Sequence, residues 1–149
     1  MLRTHDCGEL RTVDVGKKVE IAGWVHRRRD HGGLVFIDLR DRGGLVQVVF
    51  NPALFPDVHV LANDLRSEWV IKVVGEVGNR PSGTENANLP TGEVEVVAMG
   101  LEVINPAKTP PFYINEDSEV DEGLRLKYRY LDLRRPRMLQ NLVLRHKVV

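Results

Sequence analysis

The stretch Gly23-Trp-Val-His-Arg-Arg-Arg-Asp-His-Gly-Gly-Leu-Val-Phe-Ile-Asp-Leu-Arg-Asp-Arg-Gly-Gly-Leu-Val-Gln-Val-Val-Phe50 decides the reading of the fold. Asp30-His-Gly-Gly33 and Asp41-Arg-Gly-Gly44 are turn signatures, and they isolate two strands, Leu34–Arg40 and Leu45–Phe50. Upstream, Val19-Glu-Ile-Ala-Gly-Trp-Val25 alternates with period two, as a half-buried strand does. Gly23 inside that strand predicts a bulge or sharp bend. Arg27, Arg28 and Arg29 fall at the strand's end, entering the turn.

Beyond Phe50 the period changes. After Pro56, with Asp57 as an expected N-cap, Val58, Leu61, Ala62 and Leu65 share one helical face. Trp69–Val77 reads as a fourth strand, 78–92 as a polar loop rich in Gly, Asn and Pro, and Glu93–Ile104 as a fifth strand. Three strands, a helix and two strands is the order of the OB-fold, a partly open five-stranded barrel whose second and third strands commonly carry oligonucleotides. A generic small β-barrel is the alternative. The expected organisation is an all-β OB-fold domain over residues 1–105 and an extended linker or hinge over 106–136, marked by Pro106, Pro110 and Pro111. A helix beginning at 137 follows. The acidic run Asn115–Glu122 reads as solvated. The final helix ends in Val-Val without a capping signal and reads as cut, which makes the chain the N-terminal part of a longer protein.

Composition narrows the function. Lysine and arginine balance aspartate and glutamate at 21 each, so a nucleic-acid site has to be a local patch and not a global field. One cysteine, Cys7, excludes an intramolecular disulfide and a cysteine-rich metal cluster. No run approaches the roughly 20 apolar residues of a membrane span, and the first residues lack a signal-peptide core; a cytoplasmic protein is expected.

Strand parity selects the candidate site. Val35, Ile37 and Leu39 take one face of the second strand, leaving Phe36, Asp38 and Arg40 on the other; in the third strand Gln47 and Val49 oppose Val46, Val48 and Phe50. Phe36 and Gln47 are therefore expected on one outer surface. A base stacked on an aromatic contributes roughly 1–3 kcal/mol, and a glutamine amide offers both donor and acceptor to a base edge. The opposing reading places Phe36 under the long loop or against a second domain. Beside these residues the arginines suit phosphates or bases, although alternation predicts that they do not all face one way, and they could equally form surface ion pairs with Asp30 or Asp41. Trp24 is expected to pack. His26 and His31 do not have the spacing or companions of a metal pair. Glu93 and Glu95 both read as outward, and on physical grounds as ordinary surface charges. No catalytic constellation stands out.

Four segments, in order, resemble the N-terminal anticodon-binding domain of bacterial aspartyl-tRNA synthetases: Gly23–Asp30; Phe36–Arg42 running on to Val46-Gln-Val-Val49; Thr91-Gly-Glu-Val-Glu-Val96; and Arg125-Leu-Lys-Tyr-Arg-Tyr-Leu-Asp-Leu-Arg-Arg135. The resemblance covers essentially the whole chain. It implies that Phe36 stacks on the central anticodon base, that Gln47 hydrogen-bonds it, that Arg27 and Arg29 lie near the loop and that Glu95 lies near the first base. Arg80 matches a position often basic in the family, whereas Gly78 replaces another. His31 and Gly83 resemble the non-discriminating type, which accepts both tRNA(Asp) and tRNA(Asn); a missing side chain removes a clash that would reject the wrong base. The resemblance further implies a homodimeric class II parent enzyme that forms aspartyl-adenylate from ATP with Mg²⁺, with its catalytic residues beyond Val149. A stand-alone OB module for single-stranded nucleic acid and a protein-interaction barrel remain as alternatives.

Overall fold

The computed structural model describes residues 2–114 and 119–149. The start of the acidic stretch read above as solvated, Asn115 to Ser118, lies outside the described residues. Five strands, β1 (Lys18–His31), β2 (Leu34–Arg40), β3 (Leu45–Phe50), β4 (Val70–Asn79) and β5 (Val94–Asn105), close into a barrel in the order β1-β2-β3-β5-β4. This is the expected OB-fold, with helix α1 (Pro56–Asn63) between β3 and β4. Neighbours pair antiparallel except β3 and β5, which are parallel. The alternating apolar positions close the core: Val35, Ile37 and Leu39 from β2 are buried against Val46, Val48 and Phe50 from β3 and against Ile71 and Val73 from β4.

β1 departs from the expectation in two ways. It runs through the arginines to His31, and it joins β2 by a two-residue turn in which Gly32 and Gly33 have φ of 60° and 79°. Both central residues of such a hairpin turn need positive φ, which glycine adopts without strain. The bulge is also not at Gly23. Pairing steps from Val25↔Leu39 directly to Arg27↔Asp38, so His26 is the extra residue. Gly23 is required for another reason: a Cβ there would lie 2.3 Å from the Arg40 carbonyl oxygen.

Helix α1 starts at Pro56, with Phe55 in the N-cap position and Asp57 inside the first turn, where its charge favours the helix dipole without capping it. Ala62 and Leu65 are buried and Val58 packs on the core, but Leu61, expected on the apolar face, is exposed. The helix ends at Asn63, so Leu65 reaches the core from the turn that follows it, and only Val58 and Ala62 do so from the helix itself.

Residues 109–149 form a second compact unit. Two short helices, α2 (Glu122–Lys127) and α3 (Arg129–Asp132), fall inside the segment read as an extended linker, and α4 (Pro136–Val148) follows. Asp121 caps α2 by accepting a hydrogen bond from the Leu124 amide at 3.1 Å. Asp132, fully buried, gathers three of this unit's arginines: Arg125 Nε at 2.9 Å, Arg129 Nη1 at 2.6 Å and Arg135 Nη1 at 3.7 Å. Around Pro106, Pro110 and Pro111 the described residues carry no helix or strand, whereas from Glu122 on this ion cluster accompanies local helices. Among the described residues no helix is long and apolar enough to cross a membrane.

Candidate nucleic-acid interface

The bulge at His26 decides which arginines face outward. Val25 points into the barrel, so unbroken alternation would turn Arg27 and Arg29 inward and Arg28 outward. The extra residue reverses this. Arg27 pairs with Asp38 and Arg29 with Phe36, on the outer face of β2, while Arg28 falls opposite the buried Ile37. Backbone and side-chain bonds hold the distortion. The Glu68 amide donates to the Val25 carbonyl at 2.7 Å, Arg40 grips both Glu68 carboxylate oxygens at 3.0 and 2.9 Å, and Arg40 Nη1 donates to His26 Nδ1 at 2.9 Å. Burial, helped by the Arg40 charge, holds the His26 pKa below its ordinary value and keeps the ring a neutral acceptor.

On that outer face lies an open cleft of about 630 Å³. Its floor is Phe36, Gln47 and Val49; Arg29 and His31 from the β1–β2 hairpin form one end, and Arg80 and Glu95 the other. Pro81, Thr84 and Asn86 of the β4–β5 loop complete the wall. The loop therefore walls the cleft without sealing Phe36, which is half-buried. Of the sequence-selected residues, Phe36, Gln47, Arg29, Arg80, Glu95 and His31 line one cavity. Arg27 shares the face but not the lining, and Gly83 sits in the loop beside it. Gly83 has φ of +87° with open space around it, so its backbone alone favours glycine.

Inside the cleft the polar groups form a chain. Arg29 bridges Asp38 and the Gln47 amide oxygen, at 3.3 Å from the latter, and Gln47 Nε2 donates to Glu95 Oε2 at 2.8 Å. Each end of the Gln47 amide keeps one further hydrogen-bonding position for a base edge. Glu95 corrects the surface-charge reading: Glu93 is exposed, but Glu95 is only 9% exposed, because parallel pairing sets it directly beside Gln47. Burial raises the Glu95 pKa, against the opposing pull of the Gln47 hydrogen bond and of Arg80. Arg80 is 8% exposed; its Nε donates to the Val94 carbonyl at 3.1 Å and its Nη2 is buried without a partner. A cationic donor left unsatisfied beside a half-compensated carboxylate is the kind of arrangement a ligand completes. Pro81, Thr84 and Asn86 were not singled out from the sequence, although the long loop was raised as a cover for Phe36; a Gly-, Asn- and Pro-rich composition marks a loop but not which of its residues meet the site. Among the described residues no group of three or more His, Cys, Asp or Glu is arranged to hold a metal.

Residues 19–104 match the tRNA anticodon family of OB-fold nucleic acid binding domains. The chain belongs to that family. The similarity to curated relatives extends beyond the barrel. Aspartate–tRNA(Asp/Asn) ligase of Dehalococcoides mccartyi strain CBDB1 is 60% identical over all 149 residues, which span 25% of that ligase. The chain thus covers about a quarter of the length of the curated relatives it matches. Among solved structures, asparaginyl-tRNA synthetase of Pyrococcus horikoshii, complexed with asparaginyl-adenylate, is 32% identical with a TM-score of 0.75 over 91% of this chain and 30% of that one. OBody AM2EP06, bound to hen egg-white lysozyme, is 27% identical with a TM-score of 0.61 over 70% of this chain and 95% of its own.

Proposed function

We propose that the cleft reads the anticodon loop of tRNA(Asp), and of tRNA(Asn), as the N-terminal domain of an aspartate–tRNA ligase. The observation that carries this reading is the Phe36–Gln47–Glu95 row: an aromatic face, an amide with one free position at each end, and a carboxylate beside it, in one open cleft. Phe36 stacks the central base while Gln47 bonds its edge; Glu95 accepts from the first base and Arg80 donates to it. Arg27 and Arg29 contact phosphates or the third base. His31 at the hairpin end and Gly83 in the loop leave the third base loosely read. The whole ligase, a homodimer in the cytoplasm, would form aspartyl-adenylate and transfer the aspartyl group to the tRNA, holding ATP and Mg²⁺ with residues outside this chain.

One titration tests the reading. The chain is expected to bind stem-loops carrying the tRNA(Asp) and tRNA(Asn) anticodons with affinities within a few-fold of each other, and both well above an unrelated single strand. Phe36→Ala should weaken both by about 1–3 kcal/mol. Equal affinity for the unrelated strand would favour a generic single-strand binder, and no RNA binding would favour a protein-interaction barrel. Strong preference for the tRNA(Asp) loop would remove the relaxed reading alone.

A further inference from the structure

The outer face of the barrel continues past Glu95. β3 and β5 set Val49, in the cleft floor, beside Val97, and β4 sets Gly78 opposite Glu95 and Glu76 opposite Val97. There a second groove of about 320 Å³ opens, walled by Leu54 and Phe55 ahead of α1, by Gly78 of β4 and by Val97 and Met99 of β5, with Glu76 exposed at its edge. The groove is predominantly apolar, as a surface that stacks or packs a flat ring would be.

Gly78 is what keeps it open. Its φ does not lie in the left-handed region, and a Cβ at this position would meet only Val97 Cγ2, at 4.0 Å. Neither backbone conformation nor packing demands glycine here, so the missing side chain is room and not relief of strain. With Glu76 at its edge, the groove repels a phosphate and offers an acceptor to ring or amino N–H groups. Its occupant is therefore a base and not a backbone charge.

The direction of the strand follows from the reading of the cleft. First base at Glu95, central base at Phe36 and Gln47, and third base toward His31 runs from β5 across β3 to the β1–β2 hairpin. One step further in the 5′ direction leads from Glu95 to Gly78 and Val97. We propose that this groove is a fourth nucleotide subsite, taking the base immediately 5′ to the anticodon; the assignment rests on the anticodon reading above.

Anticodon stem-loops carrying the fluorescent purine 2-aminopurine, or an abasic residue, at that 5′ position test the proposal. On binding the chain, 2-aminopurine should change its emission, and the abasic loop should bind roughly tenfold more weakly than the intact loop, as loss of one stacked base does. Gly78→Leu fills the groove on a backbone that accepts any side chain. It should abolish the emission change, weaken the intact loop to a similar degree and leave the abasic loop unaffected. Full affinity for the abasic loop, which needs no protein variant, overturns the proposal, as does an unchanged emission response in Gly78→Leu. Loss of affinity in Phe36→Ala with no effect of the abasic residue rejects this subsite alone; no effect of either rejects the anticodon reading with it.

Discussion

Asp132 and Glu95 are both carboxylates withdrawn from water, and the two regions that hold them treat them in opposite ways. Asp132 is met by Arg125, Arg129 and Arg135, and their hydrogen bonds and charges, the Arg125 bond foremost, hold its pKa below the ordinary carboxylate value. Glu95 receives one neutral amide, from Gln47, and burial drives its pKa up. Arg80, whose charge acts on Glu95, commits its Nε to a backbone carbonyl and leaves Nη2 without a partner. A network that closes on itself stabilises the chain that forms it; one left open is costly to keep and marks where another molecule completes it. Abundance of arginine does not separate the two cases. Both stretches are rich in it, and only the geometry tells which arginines are already committed.

The comparison breaks first at Asp132. Asp132→Asn leaves three arginines converging on a neutral group and should cost about 2 kcal/mol, the scale of hydrogen bonds to a charged group, since Arg125 and Arg129 are partly in water and do not become buried unpaired charges. Circular dichroism should show helical signal lost at lower temperature while the β signal of the barrel persists. The sign with pH follows from the lowered pKa. The stabilisation is fully present above the unfolded-state value near 3.9 and is lost as pH falls through the lower folded value. Acidification in that range should weaken the helices of the native chain but not those of the variant. Identical melting of the two would mean the cluster holds nothing together.

Glu95→Gln should act with the opposite sign. A raised folded-state pKa means that the native barrel loses stability as pH rises from the unfolded value, near 4.3, through the higher folded one. Replacing the charge with an amide that can still accept from Gln47 should stabilise the RNA-free protein at neutral pH, on the order of 1 kcal/mol, and flatten that part of the pH profile. The same change should weaken binding of the anticodon stem-loop. A destabilised variant would show instead that Glu95 is a structural partner of Arg80.

The smallest effects sharpen the assignment of the arginines. Arg27→Ala and Arg29→Ala should each reduce the slope of log affinity against log salt by about one, whereas Arg28→Ala, which falls opposite the inward-facing Ile37 and not on the outer face, should leave it unchanged. Equal slopes for all three would mean that the bulge does not select among them.

Much of the architecture was legible because it is local. Turn residues and period-two alternation delimited β2 and β3, and placed Phe36 and Gln47 on one face before any contact was known. The bulge was not legible. Gly23 carried the usual signal, but a glycine also answers a close approach of backbone, and the sequence around His26 has no mark of its own. The helices of the second unit escaped for a related reason: prolines and a run of mixed charge describe a linker and a caged aspartate equally well until the arginines converge.

By itself, then, the chain's sequence determined the strands, their inward and outward sides, and the aromatic and amide that face outward together. These follow from the two-residue period of a pleated strand, which is written in the order of the residues. Only the tertiary structure decided that Glu95 lies against Gln47, 48 positions away, and that Arg27 and Arg29 face outward while Arg28 does not. The first depends on the parallel pairing of β3 with β5, a contact between distant segments. The second depends on one unpaired residue, His26, after which every side chain of the strand changes face.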